Sequence, residues 1–162
     1  EPYKRVELVV RAFMEMPSRQ LVVASGGSQL PALKQLAAGC GNIRFTGWQS
    51  EQQLRELIGR CAATVYVPVD EDFGLSPVES MAAGKPVIGV AEGGLLETVR
   101  QGETGFLINK DHFSQSDTAV HAICEAVATL SPADIQGMRA ACEEQAKAFD
   151  VKIFNRKFRD FI

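Results

Sequence analysis

Short runs of apolar residues alternate along the chain with longer segments in which apolar positions recur every three or four residues. The short runs predict strands at residues 21–24, 42–46, 64–67, 85–90 and 105–108. The longer segments predict helices at residues 6–16, 29–38, 78–83 and 95–100, another after residue 50, and three more towards the end of the chain. This alternation is typical of an α/β fold, in which helices cover a parallel sheet.

The order of these elements predicts one Rossmann-like domain over residues 1–148, with three layers (α/β/α) and a mainly parallel sheet of about six strands. Residues 149–162 form a separate predicted helix. Its apolar positions Val151, Phe154, Phe158 and Phe161 follow helical spacing and share one face. Two alternatives stay open for this face: it packs on its own domain, or it docks on another domain of a longer protein.

The composition excludes several classes of function. The 162 residues are 46% hydrophobic and 23% charged, as in a folded globule rather than a disordered chain. Seventeen basic and twenty acidic residues give a net charge of -3, so no overall positive field attracts nucleic acid. No apolar run reaches the roughly 20 residues of a membrane span, and no signal-peptide pattern opens the chain. We therefore expect a cytoplasmic protein without a nucleic-acid partner.

The cysteines do not indicate a metal or redox site. Cys40, Cys61, Cys124 and Cys142 are far apart, with no CxxC pair and no histidine at ligand spacing. We predict reduced, buried thiols and no metal.

The most informative segment runs from residue 71 to residue 87, between a predicted strand and the helix that follows it. Open α/β sheets bind ligands at this position. Gly74 lets a ligand approach the backbone, and the N–H groups of Leu75, Ser76 and Val78 predict a helix N-terminus that holds phosphate or sugar oxygens. Three acidic residues flank this helix N-terminus, Glu71, Asp72 and Glu79. They could contact the ligand, or they could be ordinary turn, capping or solvent-exposed residues.

This segment resembles the retaining GT-B glycosyltransferases of family four, in which two Glu residues separated by seven positions surround a Phe-Gly-Leu turn. Glu71 and Glu79 have this spacing. The order of features over residues 4–108 also resembles the nucleotide-binding, C-terminal half of those enzymes. The form EDFG-x-x-PVE, followed by PVI, GG and ETV, is most similar to bacterial mannosyltransferases that use GDP-mannose to build polysaccharides such as lipopolysaccharide.

The resemblance implies a role for individual residues. Glu71 would contact hydroxyls of the donor sugar, Glu79 would contact the ribose, and Lys4 would supply positive charge to the leaving diphosphate. Glu71 and Lys4 are therefore the candidate catalytic residues. The other candidate donor-binding residues are Phe73, Gly74, Leu75, Ser76, Gly26, Gly27, Arg44, Thr46, Gly47, Trp48, Gly93 and Gly94. Two of these roles have purely structural alternatives. Trp48 could contribute only to packing, and Gly93 and Gly94 could only form a turn.

The resemblance also implies what surrounds this chain. The chain lacks a start methionine and begins almost inside a helical pattern, so we expect a piece of a longer protein. The arginine that partners the family's lysine lies upstream of Lys4, and Arg5 is not its equivalent. We expect an N-terminal domain to bind a saccharide or lipid-linked acceptor, and the chain alone to transfer no sugar. The resemblance implies no cofactor and leaves open whether the full-length protein lies on a membrane surface.

Three other functions remain open at this point. A dinucleotide-dependent oxidoreductase would share the Rossmann-like fold, but the turn after residues 21–24 lacks the third Gly of G-x-G-x-x-G. A sugar-nucleotide epimerase would share the two-domain architecture. The third alternative is a non-catalytic module that binds nucleotide and does nothing else.

Overall fold

A computed structural model describes residues 2–24 and 26–161, except for the side chains of Phe154, Lys157, Asp160 and Phe161. The strands are β1 (Leu21–Ala24), β2 (Ile43–Gly47), β3 (Thr64–Tyr66), β4 (Val87–Ala91) and β5 (Gly105–Asn109). The helices are α1 (Val6–Met14), α2 (Leu30–Leu36), α3 (Glu51–Arg60), α4 (Leu75–Ala82), α5 (Leu95–Thr98), α6 (Ser116–Thr129), α7 (Pro132–Lys147) and α8 (Val151–Phe161). Two 3-10 turns, Pro2–Lys4 and Lys110–Ser114, complete the elements. The α/β fold is confirmed.

The strands pair in parallel, but they form two sheets. One sheet has the order β1-β2 and the other the order β3-β4-β5. The prediction of a sheet of about six strands is therefore wrong in detail, since the described residues supply five. The physical reason is that, among the described residues, β1 hydrogen-bonds to β2 alone and β3 to β4 alone, so no strand pairing joins the two sheets.

The hydrophobic core is centred on β4. Val87, Ile88 and Val90 are at most 1% exposed, which explains why this segment reads as an unbroken apolar run. Helix α1 packs against α6, and α4 packs against α7, so that helices cover both faces of the three-stranded sheet. Because β3 and β4 are parallel neighbours, their carboxyl ends lie together at one edge of this sheet.

Helix α4 begins three residues earlier than predicted, at Leu75 instead of Val78. Gly74 is its N-cap, with a left-handed φ of 84° that the hydrophobic pattern does not reveal. Pro77 fits in the first turn because the N–H that it lacks has no acceptor inside a helix at that position.

Two further predictions concern the surface. All four cysteines are free, but only Cys142 is buried, so the prediction of buried thiols is wrong for the others. The reason is their position: Cys61 directly follows α3, Cys40 lies four residues after α2, and Cys124 lies in α6, where each is only partly covered. In α8, Val151 and Phe158 are 66% and 55% exposed, whereas the predicted face also includes Phe154 and Phe161, which lie outside the described side chains. Docking of this helix stays a prediction.

No described helix combines the length and apolar character of a membrane span.

Candidate active site

The candidate site lies at the carboxyl ends of β3 and β4. Parallel strands place their following loops at the same edge of a sheet, which is where α/β proteins bind ligands. Two loops meet there: residues 67–74 connect β3 to α4, and residues 92–94 connect β4 to α5. The N-terminal turn joins them, because the N–H of Val69 donates to the carbonyl of Tyr3 at 2.7 Å.

The carboxylate of Glu71 is held on both of its oxygens. The Tyr66 hydroxyl donates to Oε2 at 2.5 Å, and the N–H of Gly74 donates to Oε1 at 3.2 Å. The backbone of Glu71 is fixed separately, since its carbonyl accepts the N–H of Gly94 at 2.7 Å. A carboxylate accepts about four hydrogen bonds, so part of its acceptor capacity remains for a ligand.

These contacts keep Glu71 ionised. The hydrogen bond from Tyr66 lowers the pKa of the Glu71 carboxyl, and burial opposes it. The backbone N–H groups of Gly74 and Phe73 and the positive charge of Lys4 lower this pKa further. Burial, and then the neighbouring Glu71 carboxylate, raise the pKa of Tyr66 well above its ordinary value. At neutral pH the pair is therefore a protonated tyrosine that donates to an ionised carboxylate.

The side chain of Lys4 is exposed, and its positive charge helps to lower the pKa of the Glu71 carboxyl. Arg5 fixes the turn that carries Lys4. Its guanidinium donates to the carbonyl of Pro68 at 3.1 Å, lies 3.7 Å from the carboxylate of Glu92, and lies 4.8 Å from the centre of the Phe113 ring. Arg5 thus links the loops after β3 and β4. No role was predicted for Arg5, although its position beside Lys4 could have indicated a second basic residue at the site.

The N-terminus of α4 follows Glu71 directly. The N–H groups of Leu75 and Ser76 have no acceptor among the described residues, and both residues are exposed. Val78 was also predicted to offer its N–H, but that group donates to the carbonyl of Gly74 at 3.4 Å, as is normal one turn into a helix. Two donors therefore remain for an anion or a sugar oxygen.

The predicted helix over residues 78–83 would place Glu79 in its first turn, but the structure does not. Glu79 is exposed and lies in the second turn, because the helix begins at Leu75. The helix dipole acts over the first turn and contributes little at this position. A ribose contact by Glu79 stays a prediction.

Gly93 and Gly94 pack directly against the Glu71 loop. A Cβ atom on Gly93 would lie 2.3 Å from the carbonyl oxygen of Glu71, and one on Gly94 would lie 2.5 Å from that of Asp72. Gly93 also has a φ of 53°. These glycines therefore do more than form a turn: their lack of side chains allows the two loops to touch.

A second group of predicted residues lies at the ends of β1 and β2. A Cβ atom on Gly26 would lie 2.5 Å from Nε1 of Trp48, so the indole covers this glycine while remaining 80% exposed. Gly27 is in the same loop, with a φ of 145°. The wide exposure of Trp48 argues against a role in packing alone. It leaves most of the ring accessible to a base.

Arg44, Thr46 and Gly47 belong to β2 itself, and only Gly47 lies beyond the predicted strand, which ends at residue 46. The reason is that parallel pairing continues to the last residue of the strand, where Gly47 lies opposite Ala24. Arg44 is exposed in the middle of the strand, while the Thr46 hydroxyl donates to the carbonyl of Val23 at 3.4 Å. A contact of these residues with the base stays a prediction.

The sequence analysis missed two aromatic residues of the site. Tyr66 ends β3 five residues before Glu71, and only its place at a strand end could have indicated it. Phe149 lies between α7 and α8 and meets Phe73 edge to face, with ring centres 5.5 Å apart. No sequence signal connects two residues so far apart in the chain.

Known proteins resemble this chain in sequence and in fold. A family model described as "Glycosyl transferases group 1" matches residues 1–148. Alpha-1,3/1,6-mannosyltransferase ALG2 of Dictyostelium discoideum is 50% identical over 60 residues, which are 37% of this chain and 14% of that protein. D-inositol 3-phosphate glycosyltransferase of Mycobacterium marinum is 32% identical over 159 residues, which are 92% of this chain and 33% of that protein. The chain spans a third or less of the length of these relatives.

Among solved structures, the fold is similar to that of the pneumococcal O-GlcNAc transferase GtfA in complex with UDP and GlcNAc. The TM-score is 0.86, and the match covers 99% of this chain and 33% of GtfA at 20% sequence identity. This likeness confirms the Rossmann-like fold.

Proposed function

The chain belongs to the glycosyl transferases group 1 family, and from this membership we propose that it binds the sugar-nucleotide donor of a retaining hexosyl transfer. One observation carries the proposal. The ionised carboxylate of Glu71 is fixed on both oxygens immediately before the open N-terminus of α4. A sugar nucleotide has hydroxyls that suit such an acceptor and a diphosphate that suits such a helix end.

In this proposal each group has one task. The remaining acceptor positions of Glu71 orient hydroxyls of the hexose, and the N–H groups of Leu75 and Ser76 bind oxygens of the sugar or diphosphate. During transfer the bond from the anomeric carbon to the diphosphate oxygen breaks, and the electron pair leaves with the phosphate. The acceptor hydroxyl oxygen bonds to the same face of that carbon, and its proton passes to the departing diphosphate. Lys4 and the helix N-terminus stabilise the negative charge of the diphosphate. Removal of one such electrostatic contact typically raises the barrier by about 3 kcal/mol.

For the identity of the donor we propose GDP-mannose. The support is the 50% identity over 60 residues to a protein described as a mannosyltransferase. The rival donor class is a UDP-sugar, since UDP is bound in the structure of GtfA. Transfer to a saccharide or lipid-linked acceptor in polysaccharide synthesis, in the cytoplasm and without a metal or cofactor, belongs to the same proposal. It requires the parts of the relatives that this chain does not span.

Ligand-observed NMR tests the proposal with four ligands: GDP-mannose, UDP-glucose, ADP-glucose and NAD. We expect saturation transfer to GDP-mannose, unchanged after addition of a metal chelator. Preference for UDP-glucose would move the donor to the rival class and keep the function. Transfer to NAD with every sugar nucleotide silent would contradict the function itself.

A further inference from the structure

We propose that Tyr66 is a positioning residue of the donor site, whose hydroxyl fixes the Glu71 carboxylate in the orientation that receives the hydroxyls of the donor sugar. The inference rests on the proposed function. It assigns Tyr66 a part in recognising the sugar and none in recognising the nucleotide.

The hydroxyl of Tyr66 is not needed to hold the backbone of the Glu71 loop. Val67 and Pro68 are almost fully buried and anchor its beginning. The carbonyl of Pro68 accepts a hydrogen bond from Arg5, and the carbonyl of Glu71 accepts one from Gly94. Loss of the tyrosine hydroxyl therefore leaves the path of the loop intact and releases only the carboxylate.

The ring of Tyr66 is well suited to hold another side chain. It stands on the last residue of β3, in register with Gly89 of the central strand β4. Its position is therefore set by the sheet and not by a loop. A tyrosine has only two side-chain torsions before the hydroxyl, so that the hydrogen bond at 2.5 Å is made at a low cost in conformational entropy.

The charge of the pair favours the same arrangement. Glu71 is an ionised acceptor, and a hydrogen bond to an ionised group is about twice as strong as a neutral one. The pKa of Tyr66 is raised, so the hydroxyl keeps its proton and donates over the whole ordinary pH range. Without this donor, the N–H of Gly74 still holds the carboxylate on its other oxygen, but Oε2 loses its bond to the tyrosine hydroxyl.

The test compares Tyr66→Phe with the unaltered chain in titrations with GDP-mannose and with GDP. We expect the affinity for GDP-mannose to fall about tenfold, the usual loss for one charged hydrogen bond, here one between the misplaced Glu71 carboxylate and a sugar hydroxyl. The affinity for GDP should not change. Thr129→Val is the matched control, because it removes another bonded hydroxyl, at the end of α6, and should change neither affinity.

A double-mutant cycle separates positioning from a direct contact. If Tyr66 acts through Glu71, then Tyr66→Phe added to Glu71→Gln causes little further loss. The carbon-13 signal of the Glu71 carboxyl gives a second readout: in Tyr66→Phe its pKa should rise towards the ordinary value. When the pH is lowered, Glu71 of the variant should therefore become protonated earlier, and binding of GDP-mannose should weaken at a higher pH than in the unaltered chain.

Three results would overturn the role of Tyr66: equal losses for GDP and GDP-mannose, additive losses in the cycle, or an unchanged pKa of Glu71. They are distinct from failure of the proposed function, in which the unaltered chain itself binds no sugar nucleotide. If that occurs, the proposed sugar recognition by Tyr66 falls with it.

Discussion

Gly93→Ala tests how closely the two loops of the site depend on each other. The new Cβ would lie 2.3 Å from the carbonyl oxygen of Glu71, whereas ordinary contacts begin at 3.4 Å. The loops must therefore separate by about 1 Å, which strains the close packing there. The left-handed backbone adds about 1 kcal/mol and the forced separation about 1–3 kcal/mol, so we expect a loss of roughly 2–4 kcal/mol in the free energy of unfolding.

The matched control is Gly102→Ala. Gly102 also has a left-handed φ, 76°, but nothing lies within 4 Å of its Cβ position, so only the backbone cost of about 1 kcal/mol applies. Urea denaturation measures both variants, and titration with GDP-mannose measures the site. Gly93→Ala should lose donor affinity, whereas Gly102→Ala should keep it. Equal losses of stability and affinity in the two variants would refute the argument that Gly93 acts through Glu71.

Three other predictions follow from the same structure. Glu79→Gln should lower nucleotide affinity with little change in melting temperature, because Glu79 is exposed beyond the first turn of α4; a lower melting temperature with unchanged affinity would contradict its ribose contact. Burial raises the pKa of Cys142 to about 11, so iodoacetamide at pH 8 should modify Cys142 only in denaturant and the partly exposed Cys40 without it, as mass spectrometry of peptides would reveal. Amides of β4 should exchange hydrogen more slowly than those of β3, since β4 is bonded on both sides; equal rates would contradict this.

The sequence predicts the elements well wherever burial dictates the pattern. The apolar run of β4 is an example, because a strand covered on both faces must be apolar at every position. The pattern fails at the start of α4. That boundary depends on the left-handed backbone of Gly74 and on the first-turn position of Pro77, which hydrophobic periodicity does not encode.

The candidate site divides in the same way. Glu71 could be found because its chemistry and its spacing to Glu79 are visible in the chain. Tyr66 and Arg5 could not be assigned a role, since their function arises from partners that only the fold brings near. The division into two sheets could not be predicted either, because the apolar pattern of a strand does not indicate which strand it pairs with.

The arrangement around Glu71 separates the task of holding the loop from that of holding the charge. Arg5, Gly93 and Gly94 act on the backbone, through carbonyl groups and close contact. Tyr66 and the N–H of Gly74 act on the carboxylate. Because different groups do the two tasks, the negative charge can be fixed at the edge of the sheet while part of its acceptor capacity remains open. Within its own loop the carboxylate bonds to the N–H of Gly74, and this bond leaves acceptor capacity for a sugar.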